Sequence, residues 1–235
     1  MQPKLEIIRS SWLILDNFNS QSKIKLKKEL IKQFSEEGNI IFDPFLNLGE
    51  TLFACHETKR NGISMTEDSN SYFEVNEKIK KLESQLQLSN YGCKQNSKHL
   101  LLKNKLKDFD YIWQQYKLPK IELIVTFLPN WKSLQKLSKE MNRTDYEYDL
   151  NPTKLIVKIL TELKNKIKHG AYIILLVENN YLEDKYNNFS GRLSLELEKE
   201  FLFKGEKMVC IKNKINESKF SINHKNLLFF RKFEI

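Results

Sequence analysis

The stretch from Asn39 to Cys55 constrains the fold more than any other part of the chain. It starts with a short apolar run that ends at Asp43, passes through a turn with Asn47 and Gly49, and enters a helix-like pattern. This order is typical of a buried parallel strand that leads into a helix packed on the sheet. Because open α/β sheets bind ligands beyond the carboxyl ends of their strands, Asp43 and the turn after it are candidate site residues.

Strand-like and helix-like patterns alternate along most of the chain and predict an α/β fold. We predict strands at 39–42, 62–65, 121–126, 171–177, 206–212 and 226–232, and helices at 22–35, 50–60, 71–88, 152–167 and 193–203. A third strand and a basic helix are expected within 91–106. The last two strands follow each other without a helix, which predicts an antiparallel hairpin at the edge of a mostly parallel, seven-stranded sheet. A single domain is expected, with a core at 21–235 and an extension at 1–20.

Composition excludes several classes of protein. The chain has 235 residues, enough for a sizeable core, and no apolar run approaches the roughly 20 residues that a membrane span needs. The amino terminus does not resemble a signal peptide. The three cysteines, Cys55, Cys93 and Cys210, lie far apart without metal-ligand spacing. We therefore expect reduced thiols in an intracellular protein, with no metal and no membrane partner.

The formal net charge is +9, and lysines are concentrated in residues 94–120 and 199–235. Basic patches of this kind attract polyanions and make binding dependent on salt. The alternative is a general compositional bias, since the whole chain is rich in Lys, Asn and Ile. The charge alone favours the compositional bias, and nucleic acid becomes the expected partner only together with the motifs described below.

The turn after Asp43 has the chemistry of a small-molecule site. Pro44 removes a donor and fixes the exit of the chain, whereas Asn47 and Gly49 tolerate a left-handed backbone. The amides of the helix that follows could face a ligand carboxylate. Such a loop suits a cofactor with an amino-acid end, because its ammonium and carboxylate both find partners. The alternative is an ordinary tight connection.

The residues Asp43-Pro44-Phe45 and Gly49-x-Thr51-Leu52 resemble the first motif of the amino-group (N6-adenine or N4-cytosine) DNA methyltransferases, Asp-Pro-Phe-x-Gly-x-Gly-Thr-Thr. The resemblance implies a Rossmann-like class I methyltransferase fold and S-adenosylmethionine as the cofactor. It further implies that the cofactor-binding residues are Asp43, Pro44, Phe45, Asn47, Gly49, Thr51 and Ser64. Two positions depart from the family: Asn47 replaces Gly, and Glu50 replaces the first Thr. Glu50 would bring negative charge close to the methionine end of the cofactor.

The second strand, within 62–65, is similar to the family's Gly-Ile-Glu-Ile, in which the acidic residue holds the ribose hydroxyls. Ser64 occupies the acidic position here. Glu67 or Asp68 could replace it if the loop turns back, but the residues favour the alternative that both cap the following helix. The adenine-contacting stretch of the family corresponds to Asn96-Ser97-Lys98.

The strand 121–126 and the residues after it resemble the family's Ile-Asp-Leu-Ile-Val-Thr-Ser-Pro-Pro-Tyr-Trp. In the family, the polar residue before the prolines accepts a hydrogen bond from the target amino group, and the aromatic residue stacks on the flipped base. The corresponding catalytic positions are Phe127, Leu128, Pro129, Asn130 and Trp131. Phe127 cannot accept that bond, Asn130 cannot stack, and Trp131 is one residue out of register. Because losing such a partner typically costs about 100-fold in rate, we expect weak or absent turnover by the chain alone.

The resemblance covers about residues 20–232, including a closing strand at 224–232 that is similar to the family's. It requires the strand ends at Asp43 and Pro129 to frame one crevice. Three functions remain open at this point. One is a DNA amino-methyltransferase, as in restriction-modification; another is an inactive subunit that binds nucleic acid or supports an active methyltransferase partner or recognition subunit; the third is an RNA amino-methyltransferase. The resemblance favours DNA over RNA as the partner.

Two further groups of residues have a structural alternative. His56 and Glu57 follow Cys55 and could suggest a metal or nucleophile site, but no other ligand lies nearby in sequence, which favours a surface position. Trp113 and Tyr116 could stack on bases beside the basic stretch. Packing of these two rings within a helix is the alternative that we favour.

Overall fold

The structure is a computed structural model that describes residues 11–89, 97–107, 109–141, 151–212 and 224–233. Its strands are β1 (Trp12–Leu15), β2 (Ile40–Asp43), β3 (Asn61–Thr66), β4 (His99–Lys103), β5 (Ile121–Phe127), β6 (Ile167–Val177), β7 (Asn180–Leu182), β8 (Lys185–Asn187), β9 (Leu202–Ile211) and β10 (His224–Arg231). Its helices are α1 (Ser20–Phe34), α2 (Glu50–Glu57), α3 (Ser69–Ser89), α4 (Phe109–Gln115), α5 (Trp131–Met141), α6 (Pro152–Leu163) and α7 (Phe189–Leu197). Among these helices, none is long and apolar enough to cross a membrane.

The main sheet has the order β1-β9-β10-β6-β5-β2-β3-β4. β10 runs antiparallel to both of its neighbours, β6 and β9, and the other adjacent pairs are parallel. The predicted α/β class, mostly parallel sheet and carboxy-terminal hairpin are therefore confirmed. The predicted count of seven strands in the sheet is wrong, because the main sheet formed by the described residues has eight.

The additional strand, β1, lies in the segment that the sequence assigns to an extension. It pairs in parallel with β9, with Trp12 opposite Met208, so the β9–β10 hairpin is not the outermost pair. Four residues without a clear period give little sequence signal, and the pairing with β9 supplies the hydrogen bonds that make this segment a strand.

Two predicted helices end more than three residues earlier than the sequence indicates. The helix predicted at 152–167 ends at Leu163, and a 3₁₀ turn leads into β6 at Ile167. The helix predicted at 193–203 is α7, which ends at Leu197, and Leu202 already begins β9. In both cases, apolar residues that fit a helical face belong to a strand. The strand expected within 91–106 is β4. The basic helix expected with it is not found in residues 97–106, and residues 91–96 lie outside the described residues.

Both faces of the sheet are covered, so strand residues alternate between two cores. On β2, Ile41 faces α1 and α2, whereas the next residue, Phe42, packs in the core on the opposite face. Trp113 of α4 contacts the Phe42 ring at 5.4 Å between centroids and donates its indole N–H to the carbonyl of Pro119 at 3.0 Å. Trp113 is thus a packing residue, while Tyr116 is exposed.

The turn between β2 and α2 has the backbone that its residues predict. Asn47 has φ +49° and Gly49 has φ +80°, both in the left-handed region. Gly49 also lies against α3, since a Cβ at this position would meet Cγ1 of Val75 at 2.6 Å. The glycine therefore permits both the turn and the close approach of α3 to the loop.

Comparison of two glycines tests this double requirement. Gly38 has φ +83°, and no atom lies within 4 Å of the point that a Cβ would occupy, so Gly38→Ala is expected to cost only the backbone strain, about 1–2 kcal/mol. Gly49→Ala should cost about 1–3 kcal/mol more, because it also overpacks Val75. Urea unfolding of both variants measures the difference. Equal losses of stability would contradict the close packing of α3 on this loop.

Candidate cofactor and catalytic loops

The two loops that the sequence singles out lie side by side. β2 pairs in parallel with β5, with Ile41 opposite Leu123, so their carboxyl ends meet at one edge of the sheet. The Asn47 amide then joins the loops directly: its Nδ2 donates to the carbonyl oxygens of Phe127 at 3.0 Å and of Phe45 at 3.1 Å. The crevice that the resemblance requires is present in the fold.

The carboxylate of Asp43 is completely buried and accepts four hydrogen bonds from the chain itself. Its Oδ1 accepts from the amide of Phe45 at 3.0 Å and from the hydroxyl of Thr126 at 2.6 Å. Its Oδ2 accepts from Nζ of Lys27 at 2.9 Å and from the hydroxyl of Thr51. A carboxylate offers about four acceptor positions, so Asp43 has none left for a ligand.

One of these partners, Lys27, is a residue that the sequence did not single out. It projects from α1 and is 0% exposed, a rare state for lysine. Besides Asp43, its ammonium donates to Oγ1 of Thr51 at 2.5 Å and lies 4.5 Å from the centroid of the Phe127 ring. The signal was the helical period: Lys27 stands three and four residues before the buried Leu30 and Ile31, on the apolar stripe of α1.

Three further main-chain amides of the first loop are occupied as well. Leu46 donates to the carbonyl of Met65 at 3.0 Å, Gly49 donates to the carbonyl of Leu46 at 2.8 Å, and Leu48 donates to Oε2 of Glu50 at 3.2 Å. The buried side chain of Glu50 thus turns back onto the loop. It keeps a negative charge at the start of α2, where a carboxylate ligand would otherwise bind.

These contacts decide whether the loop fits S-adenosylmethionine. The methionine end of that cofactor needs an acceptor for its ammonium and donors for its carboxylate. The acceptor, Asp43, is occupied by Lys27, and the amides of Leu46, Leu48 and Gly49 bond to chain oxygens. The residues present therefore do not fit the ammonium of the cofactor in this arrangement.

Ser64, predicted at the ribose-binding position, is buried within β3. It stands opposite Asp43 in the register of β2 and β3, and its hydroxyl has no hydrogen-bond partner within the described part of the chain. β3 continues to Thr66, so the loop at the carboxyl end of this strand begins after Thr66. Ser64 is not among the residues that line the cavity between the two loops, which is described below.

The two acidic residues after β3 have different structural roles. Asp68 accepts a hydrogen bond from the amide of Ser71 at 2.6 Å, which caps α3 and lowers the pKa of the Asp68 carboxyl. Glu67 instead accepts from the amide of Leu106 at 3.2 Å and ties the loop after β3 to the loop after β4. The capping prediction therefore describes Asp68 but not Glu67.

The stretch expected to contact adenine lies elsewhere. Asn96 falls outside the described residues, and Ser97 and Lys98 precede β4. Because β4 is parallel to β3, these two residues lie at the amino edge of the sheet, opposite the two loops. Ser97 contacts Nε2 of His99 at 3.1 Å, and the amide of Lys98 donates to Asn61 at 2.8 Å.

The second loop carries packing groups at the positions where the resemblance places the family's polar and stacking groups. Phe127 is buried, and its ring stacks on that of Phe18 with 6.2 Å between centroids. The amide of Leu128 donates to the carbonyl of Leu176 at 3.0 Å, which holds the loop against β6. The side chain at position 127 offers no acceptor for an amino group.

The next residues of this loop begin α5. Asn130 is exposed, and its Oδ1 accepts from the amide of Ser133 at 2.9 Å as a helix cap. Trp131 is buried edge-on against Phe189, with 5.0 Å between ring centroids, and the guanidinium of Arg192 lies 5.7 Å from its ring. Neither residue is placed to stack on a base.

A cavity of about 300 Å³ remains between the loops. Its walls include Phe18, Asn47 and the half-buried Leu128 and Pro129. Lys23 and Lys225 also line it, with their Nζ atoms at 5.3 and 4.9 Å from the centroid of the Phe18 ring. This volume is at the lower end for a small-molecule site.

The remaining sequence candidates do not join the crevice. Cys55 is buried in the core, where desolvation raises the pKa of its thiol. His56 contacts the ring of His99 with 5.4 Å between centroids, and Glu57 is exposed and paired with Lys28. Within the described ranges, no group of three or more His, Cys, Asp or Glu side chains is placed to hold a metal ion.

The comparisons with known proteins agree with the fold. Residues 6–78 match the family model of N6/N4 methyltransferases, described as DNA methylase, which spans the first loop but ends before the second. The resemblance to the amino-group DNA methylases is thereby confirmed over that segment. No curated protein matches the chain.

Solved structures extend the likeness to nearly the whole chain. An rRNA methylase from Streptococcus thermophilus is 10% identical with a TM-score of 0.54, covering 90% of this chain and 97% of that one. A magnesium protoporphyrin IX methyltransferase from Synechocystis with bound SAM is 10% identical, with a TM-score of 0.53 and coverages of 91% and 79%. A putative methyltransferase from Streptococcus mutans in complex with SAH is 12% identical, with a TM-score of 0.52 and coverages of 89% and 97%. The fold is thus the Rossmann-like fold of S-adenosylmethionine-dependent methyltransferases.

Two buried threonines test the hydrogen bonds of Asp43. Thr126→Val removes one donor to this carboxylate without changing the volume, and it should cost about 1.5–3 kcal/mol, as expected for a bond to a charged group. Thr153 is equally buried, but its hydroxyl has no partner among the described residues, so Thr153→Val should have little effect. Denaturant unfolding compares the two. If Thr126→Val leaves the free energy of unfolding unchanged, the hydrogen bond from Thr126 to Asp43 does not contribute to stability.

His99 makes the stability of the fold dependent on pH. Burial, with a smaller contribution from His56, lowers the pKa of His99 from 6.5 to about 4. The unfolded chain therefore binds the proton first, and stability should fall as the pH decreases from about 6.5 to about 4, by at most about 3 kcal/mol. Unfolding of the wild type and His99→Gln across this range measures the effect. Parallel pH profiles would exclude His99 as its source.

Proposed function

We propose that this chain is an amino-methyltransferase-like protein, related to the N6-adenine and N4-cytosine DNA methylases, with little or no methyl transfer of its own. It would bind nucleic acid, DNA rather than RNA, beside an active methyltransferase partner or a recognition subunit. The observation that carries the proposal is the position of Phe127, whose ring packs on Phe18 and on the ammonium of Lys27.

Methyl transfer to an exocyclic amino group needs an acceptor that increases the electron density on the nitrogen. The family places a polar side chain there, and the equivalent Phe127 is an apolar ring with no acceptor atom. The neighbouring Asn130 and Trp131 are engaged in capping and packing. Removal of one such group typically costs about 100-fold or more in rate, and two are missing here.

Nucleic acid is the proposed partner because the net charge of +9 favours polyanions and because the matching family model describes DNA methylases. The likeness to an rRNA methylase gives an RNA amino-methyltransferase as a second candidate. The third candidate is an active DNA methyltransferase with S-adenosylmethionine as donor. The cavity beside Pro129 is the observation that favours it.

A methyl-transfer assay separates these functions. The wild-type chain is mixed with S-adenosylmethionine that carries a labelled methyl group and with unmethylated DNA or RNA of the same sequence. We expect no transfer of the labelled methyl group above background. The same chain should bind the DNA more tightly than the RNA, with an affinity that falls as salt rises. Multiple turnovers by the wild type would contradict the proposal.

The double variant Phe127→Ser, Asn130→Tyr restores the family's residues at two positions, and Phe127→Leu is its matched apolar control. We expect neither variant to turn over, because the loop of Asp43 is also altered. Methyl transfer by the double variant but not by Phe127→Leu would instead locate the whole defect in the second loop. If the wild-type chain binds neither DNA nor RNA, the proposed partner is rejected. The proposal that the chain transfers little or no methyl group is then unaffected.

A further inference from the structure

We propose that Lys27 occupies part of the cofactor site. Its ammonium takes the position at Asp43 that the loop would offer to the ammonium of S-adenosylmethionine. The chain therefore excludes the cofactor and folds without it. The inference goes beyond the proposed function, since it concerns the cofactor site and holds whether or not the chain binds nucleic acid.

The ammonium of Lys27 has a partner for each of its donors at the ends of β2 and β5 and at the start of α2. A primary ammonium has three N–H donors. Two of them reach oxygens, Oδ2 of Asp43 at 2.9 Å and Oγ1 of Thr51 at 2.5 Å, and the face of the Phe127 ring lies 4.5 Å away. An aromatic face attracts a cation most strongly when both are out of water, as they are here. The loop therefore binds an ammonium, and the chain supplies it.

A second lysine from the same helix pairs with the other buried carboxylate of the loop. Lys23 stands one helical turn before Lys27, and its Nζ lies 3.6 Å from Oε1 of Glu50, an ion-pair distance. α1 thus presents one lysine to each of the two carboxylates of the loop. Glu50 is a departure from the family's motif, and Lys23 provides the charge that makes it tolerable in a buried position.

The change at the catalytic position belongs to the same cluster. The Phe127 ring closes the side of Lys27 that faces the second loop. A small polar residue at position 127 would leave that side open to solvent and to a ligand. The loss of the amino-group acceptor and the occupation of the cofactor position therefore result from one rearrangement around Lys27.

The first test is a titration of the unmodified protein. S-adenosylmethionine and S-adenosylhomocysteine are expected to give no heat of binding and no change in the unfolding temperature. A ligand at a hundredfold excess over its Kd would raise that temperature by about 5–10 °C in a chain of this size. Micromolar binding of either compound to the wild type would overturn the inference, even if no methyl transfer follows.

The second test removes the side chain of Lys27 and supplies a small amine in its place. Lys27→Ala leaves Asp43 buried without its cation and should lower the unfolding temperature by roughly 10 °C, as for other broken buried pairs. Lys28→Ala, which removes an exposed ion pair with Glu57 from the same helix, is the matched control and should change it by only a few degrees. n-Propylammonium, a primary amine, is expected to restore Lys27→Ala, whereas tetramethylammonium, which has no N–H donor, is not.

The double variant Lys27→Ala, Asp43→Asn shows whether the amine acts at the carboxylate. It should lose the response to n-propylammonium, because the acceptor charge is gone. An equal response in the single and double variants, or none in a folded Lys27→Ala, would overturn the assignment. If Lys27→Ala does not fold, the titration of the wild-type protein still decides the question.

Discussion

The buried ion pair between Lys27 and Asp43 is the interaction on which this end of the sheet depends. It joins α1 to the tip of β2, and the hydroxyls of Thr51 and Thr126 extend it to α2 and β5. A charge without a partner in a protein interior costs several kcal/mol, so either member of the pair requires the other. The positions of three surrounding elements are consequently determined by electrostatics as well as by apolar packing.

The same pair explains how a methyltransferase fold can persist while its site changes. The strand ends still meet, Asn47 still links the two loops, and a cavity of about 300 Å³ remains between them. The groups that would bind a cofactor's amino-acid end, however, bind one another. Fold and site are separable properties, because the sheet needs only the parallel pairing of β2 with β5 and the burial of its faces.

The parts of this structure that the sequence predicts are those set by local patterns. The apolar run to Asp43, the left-handed turn residues Asn47 and Gly49, and the pairing of β2 with β5 follow from strand, turn and topology rules. β1 and the ends of α6 and α7 do not, because they depend on which sheet edge or strand is nearby. The role of Lys27 is not predictable from the sequence for a similar reason. A lysine on an apolar stripe usually extends its ammonium to solvent, and its partners Asp43 and Thr51 are 16 and 24 residues away along the chain.

The residues at which this chain differs from the motifs that it resembles have partner groups in the structure. Glu50 is accompanied by Lys23, and Phe127 covers the ammonium of Lys27. Without Lys23, Glu50 would be a buried carboxylate with no cation beside it, and without Asp43 the ammonium of Lys27 would be buried with no anion, each at a cost of several kcal/mol. Because both changes instead come with their partners, the altered loops form a stable arrangement of their own. The ring of Phe127, which stands where the resemblance places the family's catalytic acceptor, also covers the ammonium of the buried lysine.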